Sequence, residues 1–337
     1  MSALADLNKA YFTALQNPRY ERGHGARALT MPSDKNGGMI DDMLMRRKRL
    51  DDAIATAQAI VRDNGYEVAK TVSTEIDGHV AALKPLRAKI DGNWKLPLES
   101  REKELAGASM AQTGKFLTAL EAASATLEER ILALDASFAN LTSVRAMAWA
   151  ARSLSGSSTI ILNNAVAQDR PLDAKESNAV LVNDARMEFA WSVVRQLIGQ
   201  TSTPQALKDA LATAENTYFG GAFKATRADL VANVTGGRKP SINPDQWRDQ
   251  IVAASETLGA VASRAIDVVS DVADAKADAA MRSLIAYGLL LLAALALALI
   301  GLWLVQSRVT RPITALTASM KQLAQGDFSA EGMDNGR

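Results

Sequence analysis

The chain has 337 residues, a net charge of +1, 48% hydrophobic and 5% aromatic residues, and no cysteine. The near-neutral balance argues against a nucleic-acid binder, which carries a basic excess. The lack of cysteine excludes disulfides, thiolate metal sites and cysteine nucleophiles, and His24 and His79 alone make a histidine-based metal site or triad an unexpected outcome. Abundant alanine with few aromatics favours helices over sheets, so an all-α fold is expected.

The opening segment, MSALADLNKAYFTALQ, has no apolar h-region and is neither signal peptide nor membrane span. Residues 1–283 then read as helix nearly throughout. Residues 126–155 show the pattern well: they contain no proline, and Leu127, Ile131, Leu134, Phe138, Leu141 and Val144 recur at helical spacing. Breaks are expected at NPR (17–19), MPSDKNGG (31–38), DGNWKLP (91–97), DRP (169–171), TSTP (201–204) and TGGRKPSINP (235–244). Pro171 and Pro204 stand where helices would start. About eight helical segments result, and their combined length predicts two stacked four-helix bundles as one sensor-like domain over 1–283. RYERGHGARAL (19–29) and RSLSGSSTIIL (152–162) share arginine, glycine and leucine at matching places, a faint internal echo.

Arg145, Trp149 and Arg152 are spaced four and three apart, so one helix face carries two arginines around an indole. Facing inward, they would form a pocket for an anion or carboxylate. Arg22 and Arg47 are the other candidate ligand arginines. Arg46, Lys48 and Arg49 are expected at the surface, because a four-residue basic run cannot all face inward. His24, in a GHG stretch, is read as an exposed loop residue, and His79 likewise as exposed. Asp41–Asp42 and Asp51–Asp52 are adjacent pairs that point apart on a helix, so no metal and no cofactor is expected. Trp191 and Trp247 are expected in the core or an interface. No nucleophile–base pair or phosphate loop stands out, so the chain is not expected to be an enzyme.

The helix predicted over 244–282 carries a solvated acidic stripe of Asp267, Asp271, Asp274 and Asp278, and runs without a breaker into residues 284–305. That stretch, LIAYGLLLLAALALALIGLWLV, is free of charge. It matches the ~20 apolar residues that a bilayer span requires. Tyr287 and Trp303 sit near its ends, where aromatic belts lie. Beyond it stand Arg308, Arg311 and Lys321, against Lys276 and Arg282 before it, which favours a cytoplasmic C-terminus.

The next segment, VTRPITALTASMKQLAQGDF, spaces Val309, Ile313, Leu316, Met320 and Leu323 by 4, 3, 4 and 3. This is a heptad seam that one helix cannot bury alone, so a homodimer is expected; the other reading is an amphipathic helix on the membrane surface. Pro312 sits in its first turn and Gly326 marks its end. The segment resembles the first helix of a HAMP linker, the relay module of bacterial transmembrane receptors, through Arg311–Pro312–Ile313, the heptad and Gly326–Asp327–Phe328. That resemblance covers 306–331. It implies Pro312, Ile313, Leu316, Met320 and Leu323 as relay residues, a dimeric coil, and a chain lacking the second HAMP helix and the downstream signalling domain. It also implies a span ahead of residue 1.

The body of the chain resembles the nitrate- and nitrite-sensing class of input domains. The residues concerned are Glu21–Arg22–Gly23 and RKRLDD (47–52), although Gln16 stands further from Glu21 than in that class. The resemblance implies a ligand such as nitrate, nitrite or a carboxylate, bound outside the cytoplasm by a chemoreceptor in a bacterial inner membrane. Guanidinium groups are planar, permanently charged and weakly hydrated, which suits a planar anion. The competing reading is a membrane-anchored helical scaffold that stays cytoplasmic.

Overall fold

A computed structural model describes residues 1–33, 37–201 and 203–325. Its helices are α1 (Ser2–Gln16), α2 (Pro18–Thr30), α3 (Gly37–Asn64), α4 (Glu67–Asn93), α5 (Leu105–Leu134), α6 (Ala139–Ala167), α7 (Ala174–Ile198), α8 (Gln205–Thr217), α9 (Gly221–Thr235), α10 (Pro244–Val305) and α11 (Arg311–Ala324). Among the described residues there is no strand, so the all-α expectation holds. The chain divides into two compact units, Met1–Asp274 and Ala275 onward.

In the first unit α1 and α2 pack against α3 and α5, and α6 packs against α7. The last part of α10 in this unit runs antiparallel to α1. Lys9 pairs with Asp267 at 3.0 Å, while Ser270 donates to Asp6 and Ser2 donates to Asp274. One hydrophobic cluster joins α1 and α3–α5 to α6–α10. It includes Leu4, Tyr11, Phe116, Trp149, Trp191, Trp247 and Ala273. Trp191 and Trp247 are fully buried, as expected from the sequence.

The chain breaks more often than expected. Residues 126–155 are not one helix. α5 ends at Leu134, Asp135 turns to an extended conformation, and its side chain accepts from Ser137 N at 2.9 Å, starting a short 3-10 turn over Ala136–Phe138. This is a local side-chain competitor to the helix that apolar periodicity does not register. The reversal folds α6 back on α5, so Phe138 is buried and Arg145 meets Glu128. A second unforeseen break lies at Gly65, whose φ of 64° is cheap only without a Cβ. The third separates α8 from α9 at Tyr218–Gly220. Pro171 does not start a helix; Asp173 caps α7 in a reciprocal box with Glu176. Arg170 and the Asp173 backbone hold the Glu176 carboxyl down to about 2.

The second unit holds the rest of α10, a π-helical turn over Gln306–Thr310, and α11. Residues 284–305 are exposed throughout, and the helical stretch containing them reaches a mean hydropathy of 2.7. It is long and apolar enough to cross a membrane. Two arginines at its middle, Leu292→Arg with Leu295→Arg, should each cost about 2.5–3.5 kcal/mol of insertion. Alkaline extraction of cell membranes should then release the variant and not the parent chain; release of the parent would sink the spanning reading.

Pro312 begins α11 without a break before it. Proline lacks an N–H and its ring crowds the carbonyl four residues back, here that of Arg308. The wider π turn absorbs that conflict, and Thr310 Oγ1 reaches the Val305 carbonyl at 3.5 Å. Val309, Ile313, Leu316, Met320 and Leu323 are all exposed. Gly326, Asp327 and Phe328 lie outside the described residues.

Candidate functional site

The sequence candidates separate into three environments. Arg145 is consumed by a buried ion pair: its Nε donates to Glu128 Oε1 at 2.6 Å and its Nη2 donates to Glu128 Oε2. Trp149 donates its indole N–H to Glu121 at 2.9 Å and sits edge-on to Phe12. The Arg145–Trp149–Arg152 face therefore does not act as one pocket.

Arg47 belongs to a second network. It donates to Glu21 at 2.7 Å and to Asp91 at 2.6 Å, while Arg87 takes both Glu21 oxygens at 2.7 Å and Asp51 at 2.8 Å. Of the basic run, Lys48 and Arg49 are exposed as expected. Arg46 is not. It lies over the Tyr20 ring at 4.1 Å and donates to Glu256 at 2.7 Å, because α3 packs against α2 along this face.

Arg22 and Arg152 come together at a cavity of about 280 Å³ between α2, α6 and the first part of α10. Arg19, Arg27 and Arg248 line it too, and among the described residues no aspartate or glutamate does. The two echo segments face each other here: Arg19 and Gly23 on α2 correspond to Arg152 and Gly156 on α6, and all four line the cavity. α10 contributes Trp247, Arg248, Ile251, Val252 and Ser255.

The charge is only partly compensated. Arg19 donates to Glu121 at 3.0 Å and Ser153 at 2.8 Å, but its Nε is buried without a partner. Burial, with Arg152 and Arg22 nearby, pulls its pKa below the ordinary range despite Glu121. Burial does the same to Arg22, which has no hydrogen bond or ion pair among the described residues. Arg152 donates to the Tyr20 hydroxyl at 3.1 Å, and Arg27 to the Met31 sulfur at 2.8 Å; neither pairs with a carboxylate among the described residues. Burying a cation without a counter-charge is costly, so the cavity favours an anion that restores the balance.

His24 is not an exposed loop residue. It stands on α2, where its Nε2 donates to Asp42 at 2.7 Å, and burial lowers its pKa. His79 is half-buried and stacks on Phe116. Among the described residues no acid or histidine cluster could hold a metal ion. Sequence reading missed Arg19, Arg27, Arg248, Tyr20 and Trp247 as cavity residues. The signal available was the spacing of Arg19, Arg22, His24 and Arg27 on one helix, which places several of them on a shared face. No family model matches the chain, and neither does any curated protein or solved structure.

Proposed function

We propose that the protein is a membrane-anchored receptor whose Met1–Asp274 unit takes up a small anion in the arginine-lined cavity. One observation carries this reading. α10 supplies part of the cavity wall, from Trp247 to Ser255, and is the same helix that continues to Val305 through the apolar stretch. An anion drawing Arg22 and Arg152 together bears directly on that helix, and a ligand that prefers one of two α10 positions shifts their populations. The exposed seam of α11 then pairs with a second copy as a HAMP-like coil and passes the change on, most naturally to a chemotaxis output in a cytoplasmic domain. The cavity unit accordingly lies outside the cytoplasm of a bacterial cell, with α11 inside.

Titration calorimetry on the full chain in lipid nanodiscs tests this. Small inorganic and organic anions should bind, and Arg22→Ala or Arg152→Ala should each weaken binding by about 1.5–3 kcal/mol, the worth of a hydrogen bond to a charged group. Arg264→Ala, at an exposed position, should leave it unchanged. Equal binding by all four proteins would overturn the cavity assignment.

The scaffold reading rests on α7, where Leu181, Val182 and Phe189 are exposed. It predicts no anion binding at all.

A further inference from the structure

Resting on the receptor reading above, we propose that the ligand is an organic dianion: two anionic groups held apart by an apolar body. Three features of the cavity point to this. The first is volume. About 280 Å³ is room for roughly nine waters at ~30 Å³ each, far more than one inorganic oxyanion fills. A ligand of about eight to twelve non-hydrogen atoms matches a site of this size.

The second feature is the distribution of charge into two poles. Arg19 and Arg152 form one pole, with Tyr20; these three also line a neighbouring cavity on that side. A Cβ built on Gly156 would lie 3.1 Å from Arg152 Nη1 and 3.8 Å from Arg19 Nη1, so both guanidiniums converge on the space this glycine leaves open. Arg27 forms the other pole, beside His24, and lines a different neighbouring cavity; Arg248 lies at the same end but pairs with Asp249 at 3.1 Å. Along α2 the step from Arg19 to Arg27 is about 12 Å at 1.5 Å per residue. An elongated anion with a charge at each end matches that spacing better than a compact one.

The third feature is an apolar part of the cavity lining, to which Met39, Ile160, Ile251 and Val252 contribute. An inorganic anion would leave that surface in contact with water. A hydrocarbon body covers it and gains about 25 cal/mol for each Å² removed from water.

Calorimetry on the full chain in nanodiscs, with suberate, octanoate, phenyl phosphate and nitrate as probes, decides the matter. Suberate should bind at least tenfold tighter than octanoate or nitrate. Arg27→Gln should bring suberate down to the octanoate level without changing octanoate, whereas Arg152→Gln should weaken every probe. Ile160 is 45% exposed at the rim, so Ile160→Trp narrows the apolar wall without disturbing the core. It should exclude suberate and octanoate and spare nitrate, with helix content by circular dichroism unchanged. Nitrate or octanoate binding as tightly as suberate would overturn the two-pole dianion and leave the receptor reading standing. Phenyl phosphate binding tighter than suberate would place both charges at one pole and overturn it likewise. Failure of all four probes with the folded parent chain would remove the receptor reading itself.

Discussion

Glu128→Ala should destabilise the Met1–Asp274 unit by about 3–5 kcal/mol, the usual cost of stranding one member of a buried ion pair. Glu128 and Arg145 are 7% and 6% exposed. The guanidinium meets the carboxylate in a two-bond fork, and Asn8 adds a weaker contact to Glu128 at 3.4 Å while accepting from Ser124 at 2.6 Å. Removing the carboxylate leaves a cation in the core with Phe12 as its nearest ring, 5.9 Å away. The double replacement Glu128→Met with Arg145→Met should recover most of the loss, because no charge then remains to be solvated. Urea titration followed by circular dichroism measures both. A loss below about 1 kcal/mol in the single variant would mean that water reaches the pair.

Trp247→Ala should cost a similar amount, about 3–5 kcal/mol, by a different route. The indole is 1% exposed, stacks near Phe223 with ring centres 6.1 Å apart, and donates to Asn163 at 2.6 Å. Its loss removes apolar contacts, leaves Asn163 without its donor, and opens the arginine-lined cavity at the α10 wall. Trp247→Phe keeps the ring packing and should lose only about 1 kcal/mol, the worth of the hydrogen bond. Thermal unfolding of the two variants separates these contributions; equal losses would assign the whole effect to the hydrogen bond.

The sequence carried the helical class plainly, because alanine-rich segments with a 3.6-residue apolar period leave little alternative. Breaks marked by proline–glycine clusters were also legible, as at 31–38 and 235–244. The reversal at Asp135 was not, since it depends on one aspartate bonding two residues ahead rather than on any breaker residue. That single turn explains why Arg145 was misread. Spacing within a helix says that Arg145 and Arg152 share a face, but not that Glu128 returns to occupy the first of them. Arg22 and Arg152 were both singled out as candidate ligand arginines, and that both line one cavity between α2 and α6 is a tertiary fact. No spacing rule connects residues on helices so far apart in the chain. His24 shows the same limit: its glycine neighbours suggested a loop, and packing against α3 made it helical and half-buried.

The bonds from Ser2, Asp6 and Lys9 to Asp274, Ser270 and Asp267 impose an order in time. The ribosome adds roughly 5–20 residues per second, so about 13–54 s separate the synthesis of α1 from that of its α10 partner. During that interval α3 and α5 can already shelter one side of α1. The side meant for α10 has nothing to meet. α1 is therefore made long before its surroundings are completed, and its buried Leu4, Leu7 and Tyr11 need shelter during that interval.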